Sequence, residues 1–249
     1  MCVTCLSRRR VLSLGVAALA APTLAACRRP DLVSDAQLQQ MGQASWDQMR
    51  REIPLSANTT LTTALSETAR ALLEADDRDP RDWEVAVFAS PQANAFALPG
   101  NKIGVFEGMF QVFANRAQLA AVIGHEIGHI DADHSKERVE AQMATEFGLR
   151  AVQTILDLGD VEYAREIAGA LGIGAQYGLL LPYSRRQEIE ADAYGLRLMH
   201  RADYDPAEAA ELWRRMDAMA QRNAPEFLST HPAPEARIEA IEDMLPELA

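Results

Sequence analysis

The stretch Ala121-Val-Ile-Gly-His-Glu-Ile-Gly-His-Ile-Asp-Ala-Asp-His134 decides how this chain is read. At its centre stands His125-Glu126-x-x-His129. On a helix, residues four apart share a face, one turn from each other. Two imidazoles so placed can grip one zinc ion. The carboxylate between them then stands beside the metal, where it can take a proton from water. That is the chemistry of a zinc hydrolase, above all of a peptidase. The five-residue pattern also arises by chance in on the order of one chain in a hundred of this length. Context must therefore accompany it: an amphipathic helix, a third ligand downstream, and groups that orient the histidines.

The helix is predicted directly. From Asn115 onward the pattern is helical almost throughout, and Asn115 with Gln118 resembles a capping box. Leu119, Ile123, Ile127 and Ile130 form an apolar stripe, with Val122, His125 and His129 on the neighbouring face. Asp131 and Asp133 read as a solvated helix end, and His134 and His200 as surface residues.

The third ligand is sought downstream. Ser184 with Gln187 forms a second capping box before Glu188-Ile-Glu190-Ala-Asp192. Glu188 and Asp192 are four apart and share a face. A His-His-Glu zinc site needs one carboxylate, an open position for water, and an acceptor for an imidazole N–H. A Glu-x-x-x-Asp pair supplies both groups from one helix. Glu190 is the rival ligand, but it points roughly 200° away around the helix from Glu188.

The arrangement resembles the gluzincin metallopeptidases of the HtpX, Oma and CAAX-prenyl-protease group. Four segments carry the resemblance, in order over residues 94–238: Asn94-Ala-Phe-Ala-Leu-Pro-Gly100, His125-Glu126-x-x-His129, Ser184-Arg185…Glu188-x-Glu190-Ala-Asp192, and Ser229-Thr-His-Pro232…Arg237-Ile238. Carried over by resemblance, His125, His129 and Glu188 hold one zinc per chain, Glu126 is the general base, and Asp192 orients a ligand histidine. The resemblance also places His231 near the zinc, either stabilising the oxyanion or occupying the open metal position at rest. It implies a zincin-like catalytic domain, and by analogy substrates among misfolded or unassembled cell-envelope proteins. The competing reading is a non-cleaving zinc-containing chaperone or assembly lipoprotein. An intact Glu126 favours the enzyme, since binding alone needs no general base.

The N-terminus reads as an address. Arg8-Arg-Arg10 supplies a basic region, and Val11 to Ala26 is apolar, uncharged and too short for a membrane span. Leu24-Ala-Ala-Cys27 resembles the lipobox of bacterial lipoproteins. The reading is thus a signal peptide over 1–26, lipidation at Cys27, a tether over 27–34 and a metallopeptidase domain over 35–249. A plain cleavable signal with a coincidental cysteine is the simpler alternative. The paired arginines also resemble a twin-arginine export signal. Arg28, where inner-membrane retention calls for Asp, points to the outer membrane. The expected location is the bacterial periplasm, on a lipid anchor.

Composition narrows the rest. The 249 residues carry 24 basic and 36 acidic side chains, a formal charge of −12, which argues against nucleic acid as a partner. The three cysteines, Cys2, Cys5 and Cys27, all lie near the N-terminus, so any metal in the body is held by His and carboxylate. Protein or peptide substrates are the expected partners.

The body is expected to be α+β and mainly α-helical. Helices are predicted over Asp35–Arg51, with Leu38, Met41, Ala44 or Ser45 and Met49 on one face, and over Thr59–Asp76, with Leu61, Leu65, Ala69 and Leu72. Glu84–Ala89, Ala95–Leu98 and Lys102–Phe106 are predicted strands of a small antiparallel sheet, with a type II turn at Leu98-Pro-Gly-Asn101. Helix is expected again over 135–160, and Ile167–Pro182 reads as a buried Gly-rich helix. The chain ends four residues past its last apolar stripe, Ile238, Ile241 and Leu245, and so reads as a stand-alone catalytic domain.

Overall fold

In the computed structural model, residues 32–143, 183–232 and 234–248 are described. The leader with Cys27, most of the predicted 135–160 helix and the Gly-rich stretch Ile167–Pro182 lie outside them.

Helix α1 (Asp35–Glu52) starts at a complete capping box, Ser34 with Gln37, and stops before Pro54. Its packed face is Leu38, Gly42 and Trp46, with Met49 against the aromatic cluster; of the expected face Leu38 and Met49 pack inward, whereas Met41 is exposed. The reason is a close approach: a Cβ on Gly42 would stand 2.0 Å from the Pro99 carbonyl oxygen. Only glycine lets the helix settle there, and Trp46 follows it inward one turn later. Helix α2 (Thr59–Ala75) is capped by Asn58 and buries Leu65, Ala69 and Leu72 as its spacing predicts.

Strands β1 (Glu84–Phe88), β2 (Ala95–Leu98) and β3 (Lys102–Phe106) form the sheet. Their order is β1-β3-β2, with β2 antiparallel and β1 parallel to β3. The sheet is therefore mixed, not antiparallel as expected. β3 takes the centre because it is buried at every position, whereas β2 is half-exposed along most of its length. A strand with apolar groups on both faces belongs between two others. Gly100 closes the β2–β3 turn at φ 82°, the left-handed value a type II turn needs. One sheet face packs Trp46, Phe88 and Phe106 with Phe96, in edge-on ring pairs such as Trp46–Phe88 at 5.4 Å. The other joins the main core.

Helix α3 (Arg116–Asp131) carries the His-Glu-x-x-His motif. It is less amphipathic than expected: every residue from Gln118 to His129 is buried. Such a helix is central, wrapped by neighbours on all sides. Asn115 caps it, but Gln118 turns its side chain to the Ala114 N–H and to Glu208, so the box is only half made. Helix α4 (residues 134–143) follows. Beyond the next described segment come α5 (Arg185–Arg201), α6 (Ala207–Asn223), the single turn α7 (Phe227–Thr230) and α8 (Pro234–Met244). α5 opens with the predicted Ser184–Gln187 capping box.

Among the described residues, helices α3 and α5 share the most extensive contact. A Cβ on Gly195 would lie 2.9 Å from the His125 backbone nitrogen, and one on Gly128 would lie 2.8 Å from the Ala191 carbonyl oxygen. Backbones this near bring short side chains from the two helices into one place.

Candidate metal centre

That close packing sets His125 and His129 of α3 against Glu188 and Asp192 of α5. α7 ends at Thr230, and His231, the residue after it, enters from the third side, its ring stacked on Phe227 at 4.3 Å. His125, His129, Glu188 and His231 are all buried, each offering a ligand atom within 4.8 Å of the others.

The separations are regular. His125 Nε2 is 3.0 Å from His129 Nε2 and 3.1 Å from His231 Nδ1. Glu188 Oε1 is 3.1 Å from His231 Nδ1 and 3.3 Å from His129 Nε2. Ligands held 2.0–2.1 Å from a tetrahedral ion stand about 3.3 Å from one another. Three imidazole nitrogens and a carboxylate oxygen facing inward present mostly lone pairs, which a shared cation reconciles.

The charges make the same point. Glu126, Glu188 and Asp192 are buried here against one guanidinium, that of Arg237. With the imidazoles neutral and all three carboxyls ionised, the cluster lacks two positive charges, the amount a divalent ion carries. Burial, reinforced by the neighbouring Glu188 charge, pushes the Glu126 carboxyl up to about 8. Burial also lowers all three imidazoles, His129 to about 4, so they stay neutral as metal ligation requires. Burial alone would raise Glu188, but Arg237 and the surrounding imidazoles hold it well below the usual carboxylate range. For Asp192 burial wins over Arg237, and its carboxyl is raised. The residues present fit a tetrahedral divalent metal.

Each inner histidine is held from behind. Asp192 Oδ1 lies 2.9 Å from His125 Nδ1, as expected of the orienting carboxylate. His129 Nδ1 lies 2.9 Å from His134 Nδ1. His134 is thus not the expected surface residue but 1% exposed. The turn after α3, with Asp133 at φ 54°, folds it back under His129. Beyond it Glu190 Oε2 stands 3.6 Å from His134 Nε2 and accepts a bond from Arg186 at 3.0 Å. Glu190 is half-exposed and away from the donor cluster. Asp131 and Asp133 lie at the exposed helix end as expected, Asp131 paired with Arg78, and His200 is exposed.

Two further residues had no assigned part in the sequence reading. Arg237 is fully buried on α8. It donates to both Glu188 and Asp192, with Nε 2.6 Å from Asp192 Oδ2, and its guanidinium lies 3.5 Å over the Trp213 ring. It ties the Glu188 carboxylate to that of Asp192. Arg237 belongs to the quoted His-Pro segment, yet its helix reads Pro-Glu-Ala-Arg, an ordinary surface pattern. Tyr183 stacks on His129 at 3.9 Å. It follows Pro182 at the end of an apolar run, where spacing carries no signal of a ring contact.

Glu126 stands apart from the donor group. Its Oε1 is buried without a hydrogen-bond partner, 3.5 Å from His231 Nε2. The Ala97 backbone N–H faces its carboxylate and opposes the upward push of burial. An ionisable group left unpaired beside a converging donor set is a mark of function rather than packing.

A helix carrying His-Glu-x-x-His, crossed by a carboxylate helix under a small sheet, defines the metallopeptidase class. The profile of Peptidase family M48 matches residues 57–245, and the chain belongs to this family. It is 38% identical over 200 residues to the mitochondrial metalloendopeptidase OMA1 of Schizosaccharomyces pombe, covering 79% of this chain and 56% of that protein. The Saccharomyces cerevisiae protein of the same name is 34% identical, with 81% of this chain and 61% of that one covered. The beta-barrel assembly-enhancing protease of Escherichia coli K12 is 26% identical, with 83% and 43% covered. The chain thus spans about half the length of these relatives.

Proposed function

We propose that the chain is a zinc-dependent metalloendopeptidase in which His125, His129 and Glu188 hold the metal. The observation that carries this reading is Glu126: buried, one oxygen unpartnered, beside four converging donors. A purely structural metal site has no use for it. Zinc, when bound, polarises a peptide carbonyl and acidifies water.

The protein residues supply the rest. Glu126 Oε1 accepts the proton of the attacking water and returns it to the leaving amine. Ala97 N–H steadies the other side of that carboxylate. Asp192 and His134 fix the ring tautomers so that each Nε2 faces inward. Arg237 keeps Glu188 ionised. The edge of β2 that is open among the described residues offers the peptide group of Ala95 and the carbonyl of Ala97 to an extended substrate. His231 completes the donor set at rest and must withdraw for water and substrate to enter.

Substrates are proposed to be misfolded or unassembled envelope proteins, on a periplasmic enzyme tethered to the outer membrane through lipidated Cys27. Support comes from the leader sequence and from relatives named for barrel assembly. No helix among the described residues is long and apolar enough to cross a membrane. The non-cleaving chaperone reading draws on the same closed four-donor set, but leaves Glu126 unexplained.

The test is cleavage of unfolded casein by wild type and Glu126→Gln, with zinc content measured on both. Wild type should cut; Glu126→Gln should hold equal zinc and lose activity by at least a hundredfold, of the order expected for a general base. Equal cleavage by both rejects the reading.

A further inference from the structure

A groove of about 250 Å³, open to solvent, runs beside the centre between α1, β2 and α4. One wall is Ala97, Leu98 and Pro99 from the β2 end; the other is Leu38, Met41 and Gly42 of α1. The floor is Ser135, Arg138 and Val139 of α4, with Tyr183 at the end nearest the centre. The lining is apolar or uncharged except for Arg138.

Two contacts tie this groove to the site. The Ala97 N–H faces the Glu126 carboxylate, so the same residue borders both the general base and the groove. The β2–β3 ladder runs through Asn94, whose carbonyl accepts from Phe106 N–H, and alternates from there. The peptide group of Ala95 and the carbonyl of Ala97 therefore turn to the edge that is open among the described residues. An extended chain laid on that edge passes Glu126 and runs into the groove. Second, the Arg138 guanidinium lies 4.4 Å over the Tyr183 ring, and that ring stacks on His129 at 3.9 Å. The cation thus sits one aromatic ring away from a ligand histidine.

Among the described residues Arg138 makes no salt bridge, its charge reaching only across to the buried Glu126 carboxylate, in a chain where acids outnumber bases 36 to 24. Its cation is held by an aromatic face, which orients it without neutralising it. The flanking surfaces are apolar, and Met41 is 47% exposed toward them. A half-buried charge in such a setting is screened less than one at the open surface and discriminates between side chains of opposite sign.

We infer that this groove is a specificity site of the peptidase and that Arg138 selects an acidic side chain of the substrate flanked by apolar residues. Asp or Glu is preferred there, Gln or Asn tolerated, and Lys or Arg rejected. The inference rests on the hydrolase reading for its position next to the scissile bond. The recognition itself is a binding event and is measurable without cleavage.

The experiment uses the zinc-loaded full chain carrying Glu126→Gln, which leaves peptides uncut. A second background adds His231→Ala to clear the fourth ligand position. Fluorescein-labelled apolar dodecapeptides differing at one position, Glu, Gln, Leu or Lys, are titrated by anisotropy. The Glu peptide should bind about tenfold tighter than the Gln peptide and tighter still than the Lys peptide. Arg138→Ala should erase that order while the Leu peptide binds unchanged, and Arg138→Glu should reverse it. Equal binding of all four peptides, no binding in either background, or a Glu preference that survives Arg138→Ala overturns the inference. Casein cleavage by the wild-type chain reports separately on the hydrolase reading, so each can fail without the other.

Discussion

His134 Nδ1 lies 2.9 Å from His129 Nδ1, on the side of that ring turned away from the donor cluster. One proton is shared on this axis. With Nε2 of His129 committed to metal, its Nδ1 carries the proton and His134 accepts it. The His129 tautomer is then fixed by a second histidine, as that of His125 is fixed by Asp192. His134→Leu should weaken zinc binding by about 10–100-fold, the range for losing an outer partner of a ligand. His134→Asn, which keeps an acceptor there, should restore most of it. Competition with a chromogenic chelator measures both. Unchanged affinity in His134→Leu would leave His134 as packing alone.

His231 yields a prediction of opposite sign. Its Nδ1 stands 3.1 Å from both His125 Nε2 and Glu188 Oε1, among the donors rather than above them. A fourth protein ligand closes a metal site, whereas a catalytic one keeps a position open. His231→Ala should therefore release zinc more readily yet cleave casein faster once zinc is saturating. A fall in turnover of a hundredfold instead would assign His231 to the transition state.

The spacing of α3 and α5 makes the centre possible, and one methyl group tests it. A Cβ at Gly195 would meet the His125 nitrogen at 2.9 Å and the Gly124 carbonyl carbon at 3.0 Å, both backbone atoms. Neither has a rotamer with which to yield, so the helices must part. Gly195→Ala should cost about 1–3 kcal/mol, the usual penalty of overpacking. It should also lower zinc affinity, because His125 and Glu188 ride on the separating helices. Thermal unfolding with and without zinc shows both effects. A stable variant with normal zinc affinity would mean the packing tolerates a side chain there.

What could be read in advance follows from the range of each interaction. His125 and His129, and Glu188 and Asp192, are i,i+4 pairs on single helices, and the Ser184–Gln187 box is local. All are set by helix geometry, and the chain announces them. His134 was misread because its burial depends on a tight turn at Asp133 that reverses the expected solvent-facing end of α3. Arg237 was passed over because its partners, Glu188 and Asp192, lie more than forty residues away on another helix. The parallel β1–β3 pairing was missed because strand order depends on which strand the core buries, not on order along the chain. Met41 went to the groove instead of the core because Gly42, with no side chain to show in a periodicity, takes the contact.

Acid stability has a separate origin, away from the metal. Asp76 at the end of α2 accepts from Tyr194 at 2.6 Å and pairs with Arg78 at 2.7 Å and Arg201 at 2.6 Å. Burial would raise this carboxyl, but the Tyr194 hydroxyl and the two guanidinium groups prevail and hold it below the ordinary 3.8. A carboxyl whose pKa is lower folded than unfolded binds fewer protons in the folded state. Its contribution is complete above about pH 5 and is lost as pH falls through 3.8 toward the depressed value. Asp76→Asn should therefore melt below wild type by a few degrees at neutral pH, where roughly 1 kcal/mol shifts a domain of this size by about 2–4 °C. The gap between the two melting curves should narrow steadily as pH falls below 4. Metal loss at low pH affects both proteins alike and cancels in the difference. A gap that stays constant from pH 7 to pH 3 would show that Asp76 acts through hydrogen-bond geometry and not through its charge.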